Sequence, residues 1–166
     1  MKRIPARFDP VKERLAFGKS RRRALPRSDQ GKWKTWDGRP DILATLLKAS
    51  RGRLPELLPI KWGRMAASPF GFFRGAVPVM ALDLARSSVT GVHVQMCGDA
   101  HVRNLGAFAA PDGHLVFDIN DFDETMPGPW EWDVKRLAAS FVLAGREAGD
   151  GDRLCTETVG ELVFSY

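Results

Sequence analysis

The chain predicts an α+β fold in which helices pack around a short strand and a β-hairpin. Three observations carry this. Apolar residues recur at helical spacing between residues 40 and 84 and again beyond residue 133. The period drops to two between residues 92 and 120, and a Pro-Asp-Gly turn divides that central stretch. At 166 residues the chain is long enough for one domain with its own core, and 44% hydrophobic content argues against a disordered polymer.

The elements follow in order. Residues 1–38 are basic, punctuated by Gly and Pro, and read as an N-terminal arm, extended with short helical pieces. Residues 39–166 form the folded domain. In RPDILATLLKAS, Pro40 and Asp41 lead into Ile42, Leu43, Leu46 and Leu47, the start and apolar face of a helix. RLPELLPIKWGRMAAS predicts another helix, limited in length by Pro59. SPFGFFRGAVPVMALDLARS begins as an aromatic-rich loop and ends as a helix bearing Val79, Met80, Leu82 and Leu84. VHVQM, Val92 to Met96, alternates and is β-branched, so it reads as a strand. LGAFA and LVFDIN flank Pro111-Asp112-Gly113, where proline presets φ and glycine accepts positive φ, so they form a hairpin. Its second strand sends Asp118 and Asn120 to one face and Phe117, Ile119 and Asp121 to the other. MPGPWEW then reads as a rigid loop, with Trp130 and Trp132 as core anchors. Asp133 takes an N-cap position, ahead of a buried stripe of Val134, Leu137, Ala138, Phe141 and Val142. A last helix runs from about Arg153 to Phe164.

Charge divides the chain. Residues 1–64 carry 18 Lys/Arg against 6 Asp/Glu, whereas the remaining 102 carry 7 against 14. The basic front either attracts the acidic back within the fold or meets an anionic partner. GKSRRRALPR has no interleaved aromatics and no reading motif, so nucleic acid is not favoured over a small-molecule or phosphorylated anionic substrate. No window holds eighteen uninterrupted apolar residues, and the basic N-terminus lacks the apolar segment of a signal peptide. A cytoplasmic location without a membrane partner is expected, with Cys97 and Cys155 as reduced thiols. Their spacing makes no zinc site.

The chemistry concentrates between Gln95 and Thr125, which hold five aspartates, a glutamate, two histidines and two asparagines. Carboxylates this dense repel one another unless a cation offsets them. A loop, a tight hairpin and a second loop can bring Asp99, Asn104 and Asp121 to one point. Such oxygen donors suit Mg²⁺, which completes its octahedron with water and phosphate. Asp118 is an open rival to Asp121 as ligand. His93 reads as a packed histidine and His114 as a solvated one. Arg74 either pairs with an acid or binds phosphate.

The strings RMAASPFGFFRGA, CGDAHVRNLGAF, FDINDFDET and GPWEWDVKRLAAS resemble domain of unknown function 2252, a family of uncharacterised bacterial proteins, over nearly the whole chain. A more distant resemblance is to the kinase-like superfamily, especially aminoglycoside and small-molecule phosphotransferases. Their catalytic loop, Gly-Asp-x-His-x-x-Asn, is matched by Gly98, Asp99, His101 and Asn104, and their Asp-Phe metal motif by Asp121 and Phe122. An aspartate opening a long helix about twelve residues later is matched by Asp133. This interval favours Asp121 over Asp118.

The resemblance implies part of a protein-kinase-like catalytic lobe that works with Mg²⁺ and ATP. Asp99 would accept or orient the proton of the substrate hydroxyl, and His101 would orient the loop. Asn104 and Asp121 would hold Mg²⁺ against the nucleotide phosphates, with Asp123 in support. Asp133 would bind backbone N–H groups of the catalytic loop. The chain departs from the pattern in lacking G-x-G-x-x-G and a lysine on a strand ahead of the loop. It therefore looks truncated at its C-terminus. ETVGELVFSY leaves Val159, Leu162, Val163 and Phe164 for a missing lobe or partner chain to cover. Two other classes are open: a non-catalytic anion-binding remnant, and a metal-dependent phosphoesterase, for which GDAH is the only cue.

Overall fold

A computed structural model describes residues 9–166; the first eight residues of the basic arm lie outside it. The rest of the arm is more helical than expected. Helix α1 (Val11–Ala24) carries Glu13 in its first turn and Arg21, Arg22 and Arg23 in its last, which complements the helix dipole. No residue of α1 is buried, so local propensity rather than packing accounts for it. After a single turn, α2 (Arg27–Gln30), the arm docks. The Arg86 guanidinium lies 4.4 Å over the Trp36 ring, and Arg39 donates to both carboxylate oxygens of Asp83 at 2.8 and 2.6 Å. Those bonds hold the Asp83 carboxyl below its ordinary range.

Helix α3 (Ile42–Ala49) starts where Asp41 accepts the Ala44 N–H at 2.7 Å. A 3-10 turn at Pro55–Leu57 leads into α4 (Leu58–Ala67). Pro59 sits in the first turn of α4, where its missing N–H costs nothing, so it opens this helix rather than limiting it. The aromatic stretch expected as a loop is α5 (Pro69–Gly75), capped by Ser68, which accepts the Gly71 N–H at 3.0 Å. Its burial of Phe70 overrides the weak helix propensity of a Gly- and Phe-rich run. Helix α6 (Val77–Leu84) follows. Leu46, Met65 and Ala76 make an apolar cluster here, flanked by Trp62 and Val79.

Two small antiparallel sheets come next. The strands β2 (Leu105–Ala109) and β3 (Leu115–Ile119) form the expected hairpin, with Leu105 opposite Ile119 and Gly106 opposite Asp118. Strand β1 (His93–Met96) pairs with β4 (Met126–Pro129), His93 opposite Pro129 and Met96 opposite Met126. MPGP is therefore a strand, not only a rigid loop. Trp130 donates to the Val92 carbonyl, so in this register Pro127 and Pro129 fall at positions whose nitrogen faces outward, and no ladder donor is lost. His93 is exposed on β1 rather than packed.

Pro129 ends β4 and caps α7 (Trp130–Ala148), so Asp133 stands inside the first turn instead of at the cap. Gly149, at φ +93°, closes the helix in the left-handed conformation and turns the chain into α8 (Asp152–Ser165). The fully buried residues of α7 are Glu131, Arg136 and Ser140, while the apolar stripe from Val134 to Val142 is half-buried. On α8, Val159 and Leu162 are half-buried and Val163 and Phe164 exposed. Helix α7 is the hub, touching α5, α8, β1, β4 and the 3-10 turn Val102–Asn104. Among the described residues no helix is long and apolar enough to cross a membrane.

Candidate functional site

The segment from Cys97 to Asn104 leaves β1 and runs along the N-terminal half of α7, from Asp133 to Ser140. Three side chains on one face of that helix hold it. The Asp133 carboxylate accepts the Cys97 N–H at 2.7 Å and the Gly98 N–H at 3.0 Å. Ser140, fully buried, accepts the Val102 N–H at 2.9 Å and donates to the Leu137 carbonyl at 2.6 Å. Arg136 lies between them in the same i, i+3, i+7 row. The other wall of the loop is the turn after β3. Gly98 has φ +86°, and a Cβ added there would stand 2.2 Å from the Glu124 carbonyl oxygen, so only glycine fits. The Thr125 hydroxyl donates to the Met96 carbonyl at 2.5 Å and accepts the Gln95 amide at 2.7 Å. These contacts lay residues 121–125 along residues 95–98.

Asp99 points one oxygen into the protein. Its Oδ1 accepts from Arg136 Nε at 2.7 Å and Nη2 at 2.5 Å. Arg136 also donates to the Phe73 carbonyl at 3.1 Å and lies 4.2 Å over the Phe73 ring. Its side chain is 3% exposed against 21% for Asp99, so the aspartate is the partner that still meets solvent. His101 is buried at the same corner, edge-on to Phe70. Its Nε2 accepts from Arg74 Nε at 3.3 Å and lies 3.7 Å from Asp99 Oδ2. Arginine can only donate, so Nε2 holds the lone pair and Nδ1 the proton of a neutral ring. Burial holds His101 below the ordinary imidazole range, against the pull of the Asp99 charge.

Asn104 is buried and ties the loop to the hairpin. Its amide donates to the Asp99 carbonyl at 3.1 Å, and its own carbonyl accepts the Asn120 N–H at 2.9 Å. Asp121 is thus the next residue after the one facing Asn104. Its carbonyl lies 3.3 Å from Cys97 Sγ, and its Oδ1 accepts the Asp123 N–H at 3.3 Å. Burial pushes the Cys97 thiol up, and the charges of Asp133, Asp99 and Asp121 push it further. The three carboxylates themselves face different partners: Asp99 meets Arg136, Asp133 the Cys97 and Gly98 N–H groups, and Asp121 the Asp123 N–H. Asp118 is not among them: it sits opposite Gly106 on the hairpin, exposed, with Oδ1 on the Ile119 N–H at 2.7 Å. Asp123 is exposed, and only its backbone N–H meets Asp121.

The donors available to a metal are few and hard. Among the described residues no group of three or more His, Cys, Asp or Glu side chains could hold an ion. The oxygen donors at hand are the amide oxygen of buried Asn104 on the loop and the exposed Asp121 carboxylate after β3. That sparse oxygen set fits Mg²⁺, which keeps several waters and takes one or two carboxylates plus phosphate oxygens. Zinc and dinuclear hydrolase centres take three or more protein ligands per site, which the described residues do not gather. The three histidines stand apart: His93 on β1, His101 buried and His114 at the hairpin tip.

Beside Asp99 opens a cleft of about 900 Å³ walled by α4 and α5. Arg74 lines it, as do four basic residues that sequence reading did not single out: Arg53, Lys61, Arg64 and Arg103. Arg136 and Ser140 were missed too. Both fall between positions of the apolar stripe on α7, and a charge three residues after Asp133 was the available signal. Lys61 donates to buried Ser50 at 3.1 Å, and burial followed by the nearby Arg53 charge lowers its ammonium below the usual range.

No curated protein and no solved structure matches this chain. The family model described as uncharacterized protein conserved in bacteria (DUF2252) matches residues 53–166, from the cleft wall through the loop and α7 to α8. That span covers more than half of the sequence, and the chain belongs to this family.

Proposed function

We propose that this chain carries the catalytic-loop half of a Mg²⁺-dependent phosphotransferase site. The observation that carries the reading is the loop fixed by Asp133, Ser140 and Asn104, which presents Asp99 at its solvent-accessible side with the Asp121 carbonyl against Cys97. The scaffold supplies the rigidity while the Asp121 carboxylate stays open to solvent.

Each residue has work in this reading. Arg136 fixes Asp99 through Oδ1, so Oδ2 is the oxygen free to receive the proton of an acceptor hydroxyl as its bond to phosphorus forms. The nucleoside diphosphate leaves with the electrons of the broken phosphorus–oxygen bond. Neutral His101 spaces Asp99 from Arg74 without adding charge. Asn104 braces the Asp99 carbonyl with its nitrogen, leaving its oxygen for the ion alongside Asp121. Asn104 and Asp121 would be the residues to hold Mg²⁺, which would supply charge neutralisation for nucleotide phosphates. Asp133 is a positioning residue that shapes the loop from α7.

The sequence has no G-x-G-x-x-G, and neither two-stranded sheet of the described residues carries a glycine-rich roof. The expected readout is therefore ion and nucleotide binding rather than turnover. Isothermal titration of Mg²⁺, then of ATP with Mg²⁺, into the wild type should give saturable heats. Asp121→Ala and Asn104→Ala should each weaken them about tenfold or more, whereas Asp118→Ala should not. Equal heats from wild type and Asp121→Ala would sink the metal assignment. Absence of heat throughout would favour the anion-binding remnant.

A further inference from the structure

The geometry points to the cleft between α4, α5 and Asp99 as the acceptor site for a small molecule bearing a phosphate, with Arg53, Lys61, Arg64, Arg74 and Arg103 holding the phosphate and Asp99 facing the hydroxyl. The inference rests on the phosphotransferase reading for the role of Asp99, but the phosphate site stands on its own observations.

The first is imbalance of charge within a concave surface. Five cationic residues line the cleft against one carboxylate, Asp99, and that carboxylate is already bonded to Arg136. Basic side chains spread over a convex surface are simply hydrated; in a concavity they sum their fields over a shared volume. The second is that two of the cations lack side-chain partners and a third has no counter-charge. No ion pair or side-chain hydrogen bond is made by Arg53 or Arg64 among the described residues. Lys61 meets a neutral hydroxyl and, at 4.9 Å, the Trp62 ring, and Arg53 stands close enough to disfavour its charge. Two adjacent cations without a counter-charge are stabilised by an incoming anion. The remaining two sit nearer the loop: Arg74 uses Nε on His101, and Arg103 pairs with Glu147 at 3.2 Å.

The third is size and lining. About 900 Å³ is at the upper end of small-molecule sites. The cations alternate with Leu54, Leu57 and Ile60, each more than half exposed, which give an organic body something to rest against. A nucleic-acid strand would instead call for aromatic stacking surfaces, and no aromatic residue lines this cleft.

The test is calorimetry on the full chain at about 0.15 M salt, where weak surface attraction is screened. The probes are glycerol 3-phosphate, inorganic phosphate and glycerol. Glycerol 3-phosphate and phosphate should bind and glycerol should not. The double variant Arg53→Ala/Arg64→Ala should weaken both anions about tenfold or more, while Arg14→Ala/Arg22→Ala on α1 leaves them unchanged. Both pairs are exposed, so melting curves should match the wild type. Lack of binding by either anion, or equal affinity in the cleft variant, overturns the proposal. So does a single-stranded oligonucleotide that outcompetes glycerol 3-phosphate at the same arginines. Asp121→Ala separates the two readings: anion binding that persists after Mg²⁺ binding is lost supports the cleft independently of the metal. If Mg²⁺ binds and the anions do not, the cleft assignment alone fails.

Discussion

Asp99 faces two ways, and its substitution will have two effects. Asp99→Asn removes the charge opposite Arg136, which is almost fully buried. A fully buried pair broken this way costs about 3–5 kcal/mol; because Asp99 keeps access to water, about 2 kcal/mol is expected from denaturant unfolding. A loss of function in that variant must be read against its stability, so Asp121→Ala, at an exposed position, is the cleaner probe of the site. His101 adds a pH dependence of known sign. Its folded pKa lies below the ordinary value of about 6.5, so the unfolded chain takes up a proton first as pH falls. The stability it contributes is complete above the unfolded value and is lost progressively below it. Melting temperatures at pH 7.5 and 5.5 should therefore differ more in the wild type than in His101→Asn. An equal difference in both would show that the ring is already free to ionise in the fold.

At the level of elements, the helices around the apolar clusters, the hairpin and the end of the chain were legible, because their spacing repeats. The failures have local causes. Phe70 to Gly75 read as a loop since glycine and adjacent aromatics dilute the periodicity, yet Ser68 and Pro69 are a helix start. Met126–Pro129 read as a loop since prolines break the strand pattern, and only pairing with β1 makes it a strand. On α7 the apolar positions were correctly periodic, but the fully buried positions are the polar ones that hold the loop. Periodicity registers which residues avoid water. It is silent about polar groups buried because another segment bonds them. For the same reason the aspartates of the loop stood out in the sequence, being conspicuous, while Arg136 and the cleft arginines stayed hidden among ordinary helix residues.

Across the molecule, the basic and acidic halves meet at the site. The cleft arginines and Lys61 come from residues 53–74 together with Arg103, and the carboxylates from residues 99–133. Apolar surface is left elsewhere: Leu115 and Phe117, on one face of the hairpin, are 79% and 72% exposed. The hub position of α7 has a dynamic consequence. Amides at Cys97, Gly98 and Val102 all donate to side chains of one helix, so none can reach solvent by a private fluctuation of the loop. In deuterium exchange the three should slow as a set. Ser140→Ala should release Val102 and leave the other two slow, and Asp133→Ala should do the reverse. Uniformly fast exchange in the wild type would mean the segment breathes independently of the helix. Slow exchange would mean that the loop is remodelled only when α7 itself comes away.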